Sequence, residues 1–272
     1  MINFSVLLSI YYKENTTFLK EALDSVFNQT ISPAEVVFVK DGSLTPDLDA
    51  VISEYESRCS ILKVISLPEN KGLGHALNEG INHCSYDWIA RMDTDDICFP
   101  DRFEKQMEII EKYPELSFIS SSIAEFVNSP DEVVSYRNLP EFHDEIYTYA
   151  KIRCPLNHPV VMYRKQAVLD CGGYREFPED YHLWVRALMK GYKFYNIQEP
   201  LLYFRSNIDT IKRRGGWKYA IAEIGHQREF YKIGFISYPQ FLKNGISRFV
   251  VRIIPPKIRY YLYSGLLRTN NK

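Results

Sequence analysis

Residues 88–96 have the sequence WIARMDTDD, in which an apolar, strand-like run is followed at once by three aspartates. Three carboxylates within four positions repel one another unless a cation joins them, and such oxygen ligands suit hard divalent ions such as Mg²⁺ or Mn²⁺. In an open α/β sheet, ligands bind at the carboxyl ends of the strands. The stretch therefore predicts a metal site beside a bound ligand. The alternative is a solvated acidic loop that caps a helix beginning near Pro100.

A regular alternation of strands and helices surrounds this stretch in the first hundred residues. Continuous apolar runs typical of buried strands occupy residues 4–10, 36–39, 62–66 and 88–92. Between these runs, apolar residues recur at helical spacing. The order predicts an α/β fold with a mostly parallel central sheet and helices on both of its faces.

The second half of the chain is less regular. Short strands are predicted at residues 194–197 and 201–204, among helices that are less evenly spaced than in the first half. Residues 206–216 are polar and basic and end in two glycines. This composition indicates a mobile loop.

Composition places the chain among ordinary globular proteins. It has 272 residues, of which 46% are hydrophobic and 25% are charged. No apolar run reaches the roughly 18 residues of a membrane-spanning helix, and the first residues lack the basic start of a signal peptide. The five cysteines form no Cys-x-x-Cys pair, so we expect reduced thiols in a cytoplasmic protein.

The net charge of −1 conceals a basic C-terminal segment. Residues 230–272 contain eight Lys and Arg and neither Asp nor Glu, so residues 1–229 carry the balance of −9. Basic, aromatic and aliphatic residues without acids favour a helical, amphipathic tail that lies on an anionic membrane surface. A helix that packs on the acidic body is the second interpretation. Nucleic-acid binding is the third and least favoured, and we expect no nucleic-acid partner.

Several polar stretches follow the predicted strands and should meet at one edge of the sheet. They are Ser9 to Tyr11, Asp41-Gly42-Ser43, Asn70-Lys71-Gly72 and the aspartates that begin at Asp93. In a doubly wound sheet these edges converge on one crevice. Gly72 and Gly74 do not form a dinucleotide fingerprint, because Leu77 stands where the third glycine is needed.

The order of motifs along residues 3–205 resembles the inverting family 2 glycosyltransferases of bacterial capsule and O-antigen synthesis. The matching blocks are Asp41-Gly42-Ser43; Asn70, Gly72, Ala76, Asn78 and Gly80; Asp93-x-Asp95-Asp96; Asn157-His158-Pro159; Gly172-Gly173-Tyr174; and Glu179-Asp180-Tyr181-x-Leu183-Trp184. The resemblance implies the GT-A fold, which is Rossmann-like. One catalytic domain would span residues 1–229, with a donor-binding half of about 1–100 and an acceptor and catalytic half of about 101–229.

The resemblance also implies roles for single residues. Asp41 would contact the uracil or ribose of a nucleotide-sugar donor, and Asp93 the ribose or sugar. Asp95 would ligate a Mn²⁺ or Mg²⁺ ion that bridges the diphosphate. Asp180 would be the general base, although an aspartate that caps the following helix is the alternative.

Further residues are candidates for the same crevice. Arg91 lies inside an apolar strand, where an unpaired charge is costly, so it needs a carboxylate or phosphate partner. The donor-binding candidates are Ser9, Tyr11, Asp41, Gly72, Asn78, Arg91 and Asp93. The acceptor or loop candidates are His158, Glu179, Arg205 and Arg213, and for each of these a structural or solvated role is an open alternative.

These residues predict a metal-dependent enzyme that moves a sugar from a nucleotide-diphosphate donor, with UDP favoured, and inverts the anomeric centre. The expected acceptor is a lipid-linked oligosaccharide at the inner face of a bacterial membrane, with the enzyme cytoplasmic and peripheral on that face. A phosphatase of the haloacid-dehalogenase type is one alternative, disfavoured because its Asp-x-Asp usually follows the first strand. A non-catalytic protein that binds sugar nucleotides or glycans is another.

Overall fold

A computed structural model describes residues 2–175, 179–206 and 216–254 of the chain, without the side chains of residues 218 and 219. The strands are β1 (Phe4–Ile10), β2 (Glu35–Lys40), β3 (Leu62–Ser66), β4 (Trp88–Met92), β5 (Ile97–Cys98), β6 (Leu116–Phe126), β7 (Val133–Arg137), β8 (Met162–Arg164) and β9 (Lys193–Arg205). The helices are α1 (Thr16–Phe27), α2 (Pro46–Arg58), α3 (Leu73–His83), α4 (Arg102–Lys112), α5 (His143–Ala150), α6 (Lys165–Asp170), α7 (Glu179–Met189), α8 (Trp217–Lys232) and α9 (Tyr238–Ile253), with a 3₁₀ turn at His158–Val160.

These strands form one sheet in the order β3-β2-β1-β4-β8-β6-β9-β5, and β7 pairs with β6. The first four strands are parallel, as the sequence predicts. The second half is mixed, because β8 runs antiparallel to β4 and β6, whereas β9 runs parallel to β6. The predicted α/β class is confirmed, and the antiparallel pairs are confined to the half beyond β4.

The strand order creates a switch point between β1 and β4, where the chain reverses its direction of travel across the sheet. Leu8 is level with Met92, and Ile10 is level with Lys40. The residues that follow β1, β2 and β4 therefore emerge side by side at one edge. In sheets of this type the ligand crevice lies at the switch point.

Both faces of the sheet are buried, which explains the continuous apolar runs of the first strands. On β1, Val6 and Leu8 point into one core beneath α1, α2 and α4. Leu7, between them, points into the second core beneath α3 and α7. The alternation follows from the period of two along a strand.

One strand prediction was wrong. The two short strands expected at 194–197 and 201–204 are one strand, β9, which follows β6 along its whole length. The register shifts where Ser121 and Ser122 face β9, and Pro200 pairs at that point. The polar residues before Pro200 signalled a break, but the irregularity lets the strand pass through them.

The C-terminal helices α8 and α9 pack against the body of the protein. Phe230, Phe235 and Ile236 are each at most 3% exposed and belong to the core beneath α3 and α7. Arg252 on α9 pairs with Glu223 on α8 at 2.7 Å. The part of the predicted basic tail up to residue 254 thus packs on the acidic body, and residues 255–272 lie outside the described range. No helix in the described part of the chain is both long and apolar enough to cross a bilayer.

A buried carboxylate at the start of β2 makes the stability of this sheet depend on pH. Glu35 accepts hydrogen bonds from Ser5 Oγ at 2.6 Å, from Lys63 Nζ and from Ser85. Burial raises the pKa of Glu35, but these hydrogen bonds outweigh burial and lower it to about 2. A carboxylate with a lowered pKa stabilises the fold above its unfolded pKa, and this contribution disappears as the pH falls toward the folded value.

We therefore expect the free energy of unfolding of the wild type to fall by about 2 kcal/mol, through Glu35 alone, between pH 5 and pH 2. Urea unfolding at several pH values gives the free energy of unfolding of the wild type and of Glu35→Gln as a function of pH. The difference between the slopes of the two curves measures the contribution of Glu35. Parallel slopes for the two proteins would show that Glu35 titrates normally.

Candidate active site

The loop after β4 gathers three carboxylates in one place. One oxygen from each of Asp93, Asp95 and Asp96 lies within 4.8 Å of the others. Asp96 is fully buried, and its Oδ2 has no hydrogen-bond partner among the described residues. A buried carboxylate oxygen without a partner is costly unless a proton or a cation satisfies it.

Two arginines fix the shape of this loop. Arg91, which is 1% exposed, pairs with the Asp93 carboxylate through both Nη atoms, one of them at 2.7 Å. Arg205, at the end of β9, donates its backbone N–H to Asp96 Oδ1 and its Nε–H to the carbonyl of Asp95, both at 2.9 Å. Its Nη2 binds Glu21, and its guanidinium lies 3.8 Å from the centre of the Phe18 ring. Arg205 therefore fixes the acidic loop through its hydrogen bonds to Asp95 and Asp96.

Burial and, after it, repulsion between the carboxylates raise the pKa values of two aspartates in the loop. Burial, the Asp93 charge and the Glu14 charge raise the pKa of Asp95 to about 7. Burial and the charges of Asp95 and Asp93 raise the pKa of Asp96 well above its usual range. In both cases burial disfavours the charged carboxylate most, and the neighbouring negative charges add to this effect.

The residues present fit a hard divalent cation. The donor set is made only of carboxylate oxygens, which Mg²⁺ and Mn²⁺ prefer. The unpartnered Oδ2 of Asp96 supplies a free ligand atom. Arg91 already engages both oxygens of Asp93, so Asp95 and Asp96 are the better placed of the three to coordinate an ion.

Asp41, at the end of β2, shapes the neighbouring wall of the crevice. Its two carboxylate oxygens accept the backbone N–H groups of Lys71 at 2.9 Å and Gly72 at 3.0 Å. Gly72 has a φ of +91° and precedes α3, with open space where a Cβ would stand. Asp41 therefore fixes the loop that leads into α3. Its contact with a nucleotide stays a prediction.

Asn78 on α3 joins this wall to the second half of the chain. Its Nδ2 donates to the carbonyl of Tyr174, and its Oδ1 accepts from the N–H of the same residue, both at 2.8 Å. A Cβ on Gly173, whose φ is +65°, would lie 2.5 Å from that Oδ1. These contacts require glycine at 173, and through them Asn78 stabilises the turn before α7. Asn78 remains only a predicted donor contact.

We expect Asn78→Ala to lower the free energy of unfolding by about 2 kcal/mol, because the buried backbone of Tyr174 loses two hydrogen bonds. Denaturant unfolding at neutral pH measures the change. Asn82→Ala, on the exposed side of the same helix, is the matched control and should change stability by less than about 0.5 kcal/mol. Equal losses of unfolding free energy in the two variants would show that the hydrogen bonds of Asn78 do not stabilise the turn.

The start of α7 brings a second pair of acids to the crevice. Asp180 Oδ2 lies 3.5 Å from Cys154 Sγ. Burial and the Asp180 charge raise the pKa of Glu179 to about 7, and the charges of Arg91 and Asp93 also act on it. The charges of Arg91 and Asp93 therefore act on the start of α7, and a crevice shared by the two acidic motifs stays a prediction.

Gly74 explains how α3 and α7 approach so closely. A Cβ at Gly74 would meet the carbonyl oxygen of Arg175 at 2.7 Å and the Cβ of Glu179 at 3.4 Å. Only a residue without a side chain permits this approach. The starts of the two helices therefore form adjacent walls of the crevice.

The other predicted site residues occupy varied positions. His158 is buried and hydrogen-bonds Tyr174 Oη through Nε2 at 3.1 Å, while burial and the Arg91 charge hold its pKa well below the usual range. It is therefore a neutral histidine with a structural partner. Ser9 is half-buried in β1, and Tyr11 is exposed just after it. Arg213 lies outside the described residues.

Sequence reasoning missed three residues around the site. Glu14 accepts a hydrogen bond from Thr94 Oγ1 at 3.0 Å, which adds a charge to the acidic loop. Arg102, fully buried on α4, donates to the carbonyl of Arg91 at 2.7 Å. Cys154 lies beside Asp180. None belongs to a motif, so only the folded arrangement reveals them.

The family model Glycosyl transferase family 2 matches residues 5–173. The match includes the strands and loops that hold the acidic residues after β4. The matched region ends before α7 and therefore does not include the acidic residues at the start of that helix.

Curated relatives cover almost the whole chain. An uncharacterized glycosyltransferase of Haemophilus influenzae is 43% identical over 267 residues, 98% of this chain and 100% of its own length. The UDP-Gal:alpha-D-GlcNAc-diphosphoundecaprenol beta-1,3-galactosyltransferase of Escherichia coli is 40% identical, covering 97% and 96%. The amylovoran biosynthesis glycosyltransferase AmsE of Erwinia amylovora is 34% identical, covering 96% and 97%.

Solved structures share the fold at low sequence identity. TarS of S. aureus in complex with UDP-GlcNAc matches with a TM-score of 0.66 and 16% identity, over 96% of this chain and 75% of that one. The mannosyltransferase PcManGT of Pyrobaculum calidifontis, in complex with GDP-Man and Mn²⁺, gives 0.64 and 16%, over 90% and 68%. The fold is that of the GT-A glycosyltransferases.

Proposed function

Because the chain belongs to glycosyl transferase family 2 and is a glycosyltransferase, we propose that it moves a hexose from a UDP-sugar to a hydroxyl of a lipid-diphosphate-linked oligosaccharide, with inversion and with a bound Mn²⁺ or Mg²⁺. Membership of this family argues against the two alternatives, namely a phosphatase and a non-catalytic binding protein. The observation that supports the proposal is the cluster of three carboxylates after β4, at the switch-point edge of the sheet, whose Asp93 charge also acts on Glu179 at the start of α7.

Asp180 acts as the general base in this proposal. It takes the proton of the acceptor hydroxyl as that oxygen forms a bond to the anomeric carbon. The bond between that carbon and the diphosphate oxygen breaks, and its electron pair leaves with the nucleotide diphosphate. A single carboxylate suffices, because a direct displacement needs no covalent intermediate on the protein.

Asp95 and Asp96 would hold the divalent cation, and Asp93 stays aligned by its pairing with Arg91. When bound there, the ion would neutralise charge on the diphosphate leaving group. Asp41 holds the loop before α3 against the same crevice, so that the backbone around Gly72 faces the donor. Ser9 and Tyr11 complete the donor side at the end of β1.

The names of relatives support the choice of substrates. The Escherichia coli relative is named for a UDP-linked donor and an acceptor on diphosphoundecaprenol, and the Erwinia relative for the biosynthesis of amylovoran. An acceptor of this kind is anchored in a membrane. We therefore infer that the enzyme works in the cytoplasm at the inner face of a bacterial cell membrane, in the synthesis of a surface polysaccharide.

Residues 255–272 supply four of the eight basic residues in the C-terminal segment, and no acids. We infer that this basic segment contributes to binding an anionic membrane surface. Flotation with vesicles that contain phosphatidylglycerol, with and without residues 255–272, tests the inference. Equal flotation of the two proteins would refute it.

The function itself is tested by incubating the protein with Mn²⁺, a synthetic GlcNAc-α-diphosphate-lipid and a panel of nucleotide sugars headed by UDP-galactose. We expect one sugar to be transferred, the anomeric configuration to be inverted in the NMR spectrum of the product, and EDTA to stop the reaction. Retention of configuration, or full turnover in EDTA, would contradict the proposal.

A further inference from the structure

The turn at residues 150–154, which follows α5, is held by side chains from two other helices. Three consecutive backbone carbonyls of the turn each accept one side-chain hydrogen bond. The bonds run from Tyr181 Oη to Ala150 O at 2.6 Å, from Asn244 Nδ2 to Lys151 O at 2.8 Å, and from Arg248 Nη2 to Ile152 O at 2.6 Å. The donors come from α7 and α9, which lie far apart in sequence.

The same turn reaches the proposed base. The thiol of Cys154 lies 3.5 Å from both Asp180 Oδ2 and the carbonyl oxygen of Leu156. Tyr181, the neighbour of Asp180 in α7, is bound to the start of the turn. The turn is therefore attached on both sides to the first residues of α7, and a shift of the turn moves the surroundings of the Asp180 carboxylate.

The two donors on α9 are built into the protein and are not free surface groups. Asn244 is 6% exposed and also donates to Gln227 Oε1 on α8 at 2.9 Å. Arg248 lies 3.6 Å from Glu223 on α8, and its guanidinium is 5.6 Å from the centre of the Tyr181 ring. Helix α8 thus supports both side chains, and Arg248 contacts the turn and α7 at once.

We propose that Asn244 and Arg248 are positioning residues for Asp180. Helix α9 fixes the turn at 150–154, and the turn fixes the base through Cys154 and Tyr181. The C-terminal helices are then a working part of the active site and not an appendage to it. This inference rests on the proposed function, since it assumes that Asp180 acts as the base.

The kinetic test compares Arg248→Met, which keeps much of the side-chain volume, with Arg248→Lys, which keeps the charge. We expect Arg248→Met to lower kcat about tenfold or more, because a base displaced by a fraction of an ångström transfers protons poorly. The KM for the nucleotide sugar should stay within about twofold, because the donor side of the crevice is untouched. Arg248→Lys should recover part of kcat. Lys243→Met, on the exposed side of α9, is the control and should match the wild type.

A second readout does not depend on activity. Burial and the Asp180 charge raise the pKa of the Cys154 thiol, so iodoacetamide should modify it slowly in the wild type. Release of the turn in Arg248→Met should speed this modification several-fold relative to Cys59, as measured by peptide mass spectrometry. Asn244→Ala, which removes the hydrogen bond to Lys151 O, provides the same comparison if Arg248→Met does not yield folded protein.

The possible results distinguish a failure of the positioning role from a failure of the proposed function. An unchanged kcat in Arg248→Met overturns the positioning role, and so does a loss of kcat that Arg248→Lys does not relieve. An unchanged rate of Cys154 modification overturns the link between α9 and the turn. A wild type that transfers no sugar from any donor would refute the proposed function, while the modification rates would still decide whether α9 holds the turn.

Discussion

Asp180→Asn is expected to lower kcat by about 10²–10⁴-fold, the range of a general base, while the affinity for the UDP-sugar and Mn²⁺ stays within about twofold. Asparagine has nearly the same shape as aspartate but cannot accept the acceptor's proton. The carboxylate lies at the start of α7, while the candidate metal ligands lie on the loop after β4. Removing its charge should therefore leave donor binding largely intact. Steady-state kinetics and calorimetric titration with UDP measure the two quantities.

Two matched variants sharpen this prediction. Asp144→Asn changes an exposed aspartate in the first turn of α5, the same helical position, and should have no effect on kcat. Glu179→Gln changes the adjacent acid. If Glu179→Gln lost as much kcat as Asp180→Asn is expected to lose, and Asp180→Asn kept turnover, the base would be Glu179 instead.

Asp95→Asn is expected to lower activity by about 10²–10³-fold and to raise stability in the absence of metal. The loss arises because the ion that neutralises the leaving group loses a ligand. The gain arises because three carboxylates crowd within 4.8 Å and an amide removes one of the charges. We expect about 1 kcal/mol more free energy of unfolding in EDTA for the variant. Opposite changes in activity and stability are the mark of a site built for a cation.

Activity assays over a range of Mn²⁺ concentrations and thermal unfolding in EDTA check the two halves of this prediction. Asp101→Asn, which alters an aspartate outside the cluster at the start of α4, is the control and should keep full activity. A variant Asp95→Asn that kept wild-type turnover at low Mn²⁺ would show that the acidic loop does not hold the ion.

The parallel half of the fold could be predicted from the sequence because its strands are buried on both faces and carry a simple, continuous apolar signal. The same reasoning located the crevice, since the residues after β1, β2 and β4 must emerge together once the sheet is parallel. The second half mixes parallel and antiparallel pairs, and short strands give weak signals. The pattern therefore predicts two strands where β9 continues through the polar residues before Pro200.

Partners of individual side chains were harder to predict than positions. Asn78 belongs to a block that suggests donor binding, yet its amide binds Tyr174, which is 96 residues away. Arg205 is predicted as an acceptor or loop residue with a structural role as the alternative, and it forms hydrogen bonds with Asp95, Asp96 and Glu21. Such pairings depend on distances between remote segments, which periodicity and spacing do not contain.

The C-terminal segment shows a different limit. Its charge and aromatic content suit a membrane surface. However, Phe230 on α8 and Phe235 in the loop before α9 are buried against the body, and Asn244 and Arg248 on α9 bind the turn beside Asp180. A basic amphipathic helix has the same pattern whether its partner is a bilayer or an acidic protein surface. Only the contacts distinguish the two.

Crystals of the wild type soaked with Mn²⁺ and UDP provide the most direct measurement of the central claim. We expect one Mn²⁺ about 2.1–2.3 Å from a carboxylate oxygen of Asp95 or Asp96 and from the diphosphate, with the side chain of Asp180 opening into the same crevice. An ion bound elsewhere, or a UDP whose diphosphate lies away from the loop after β4, would contradict the account.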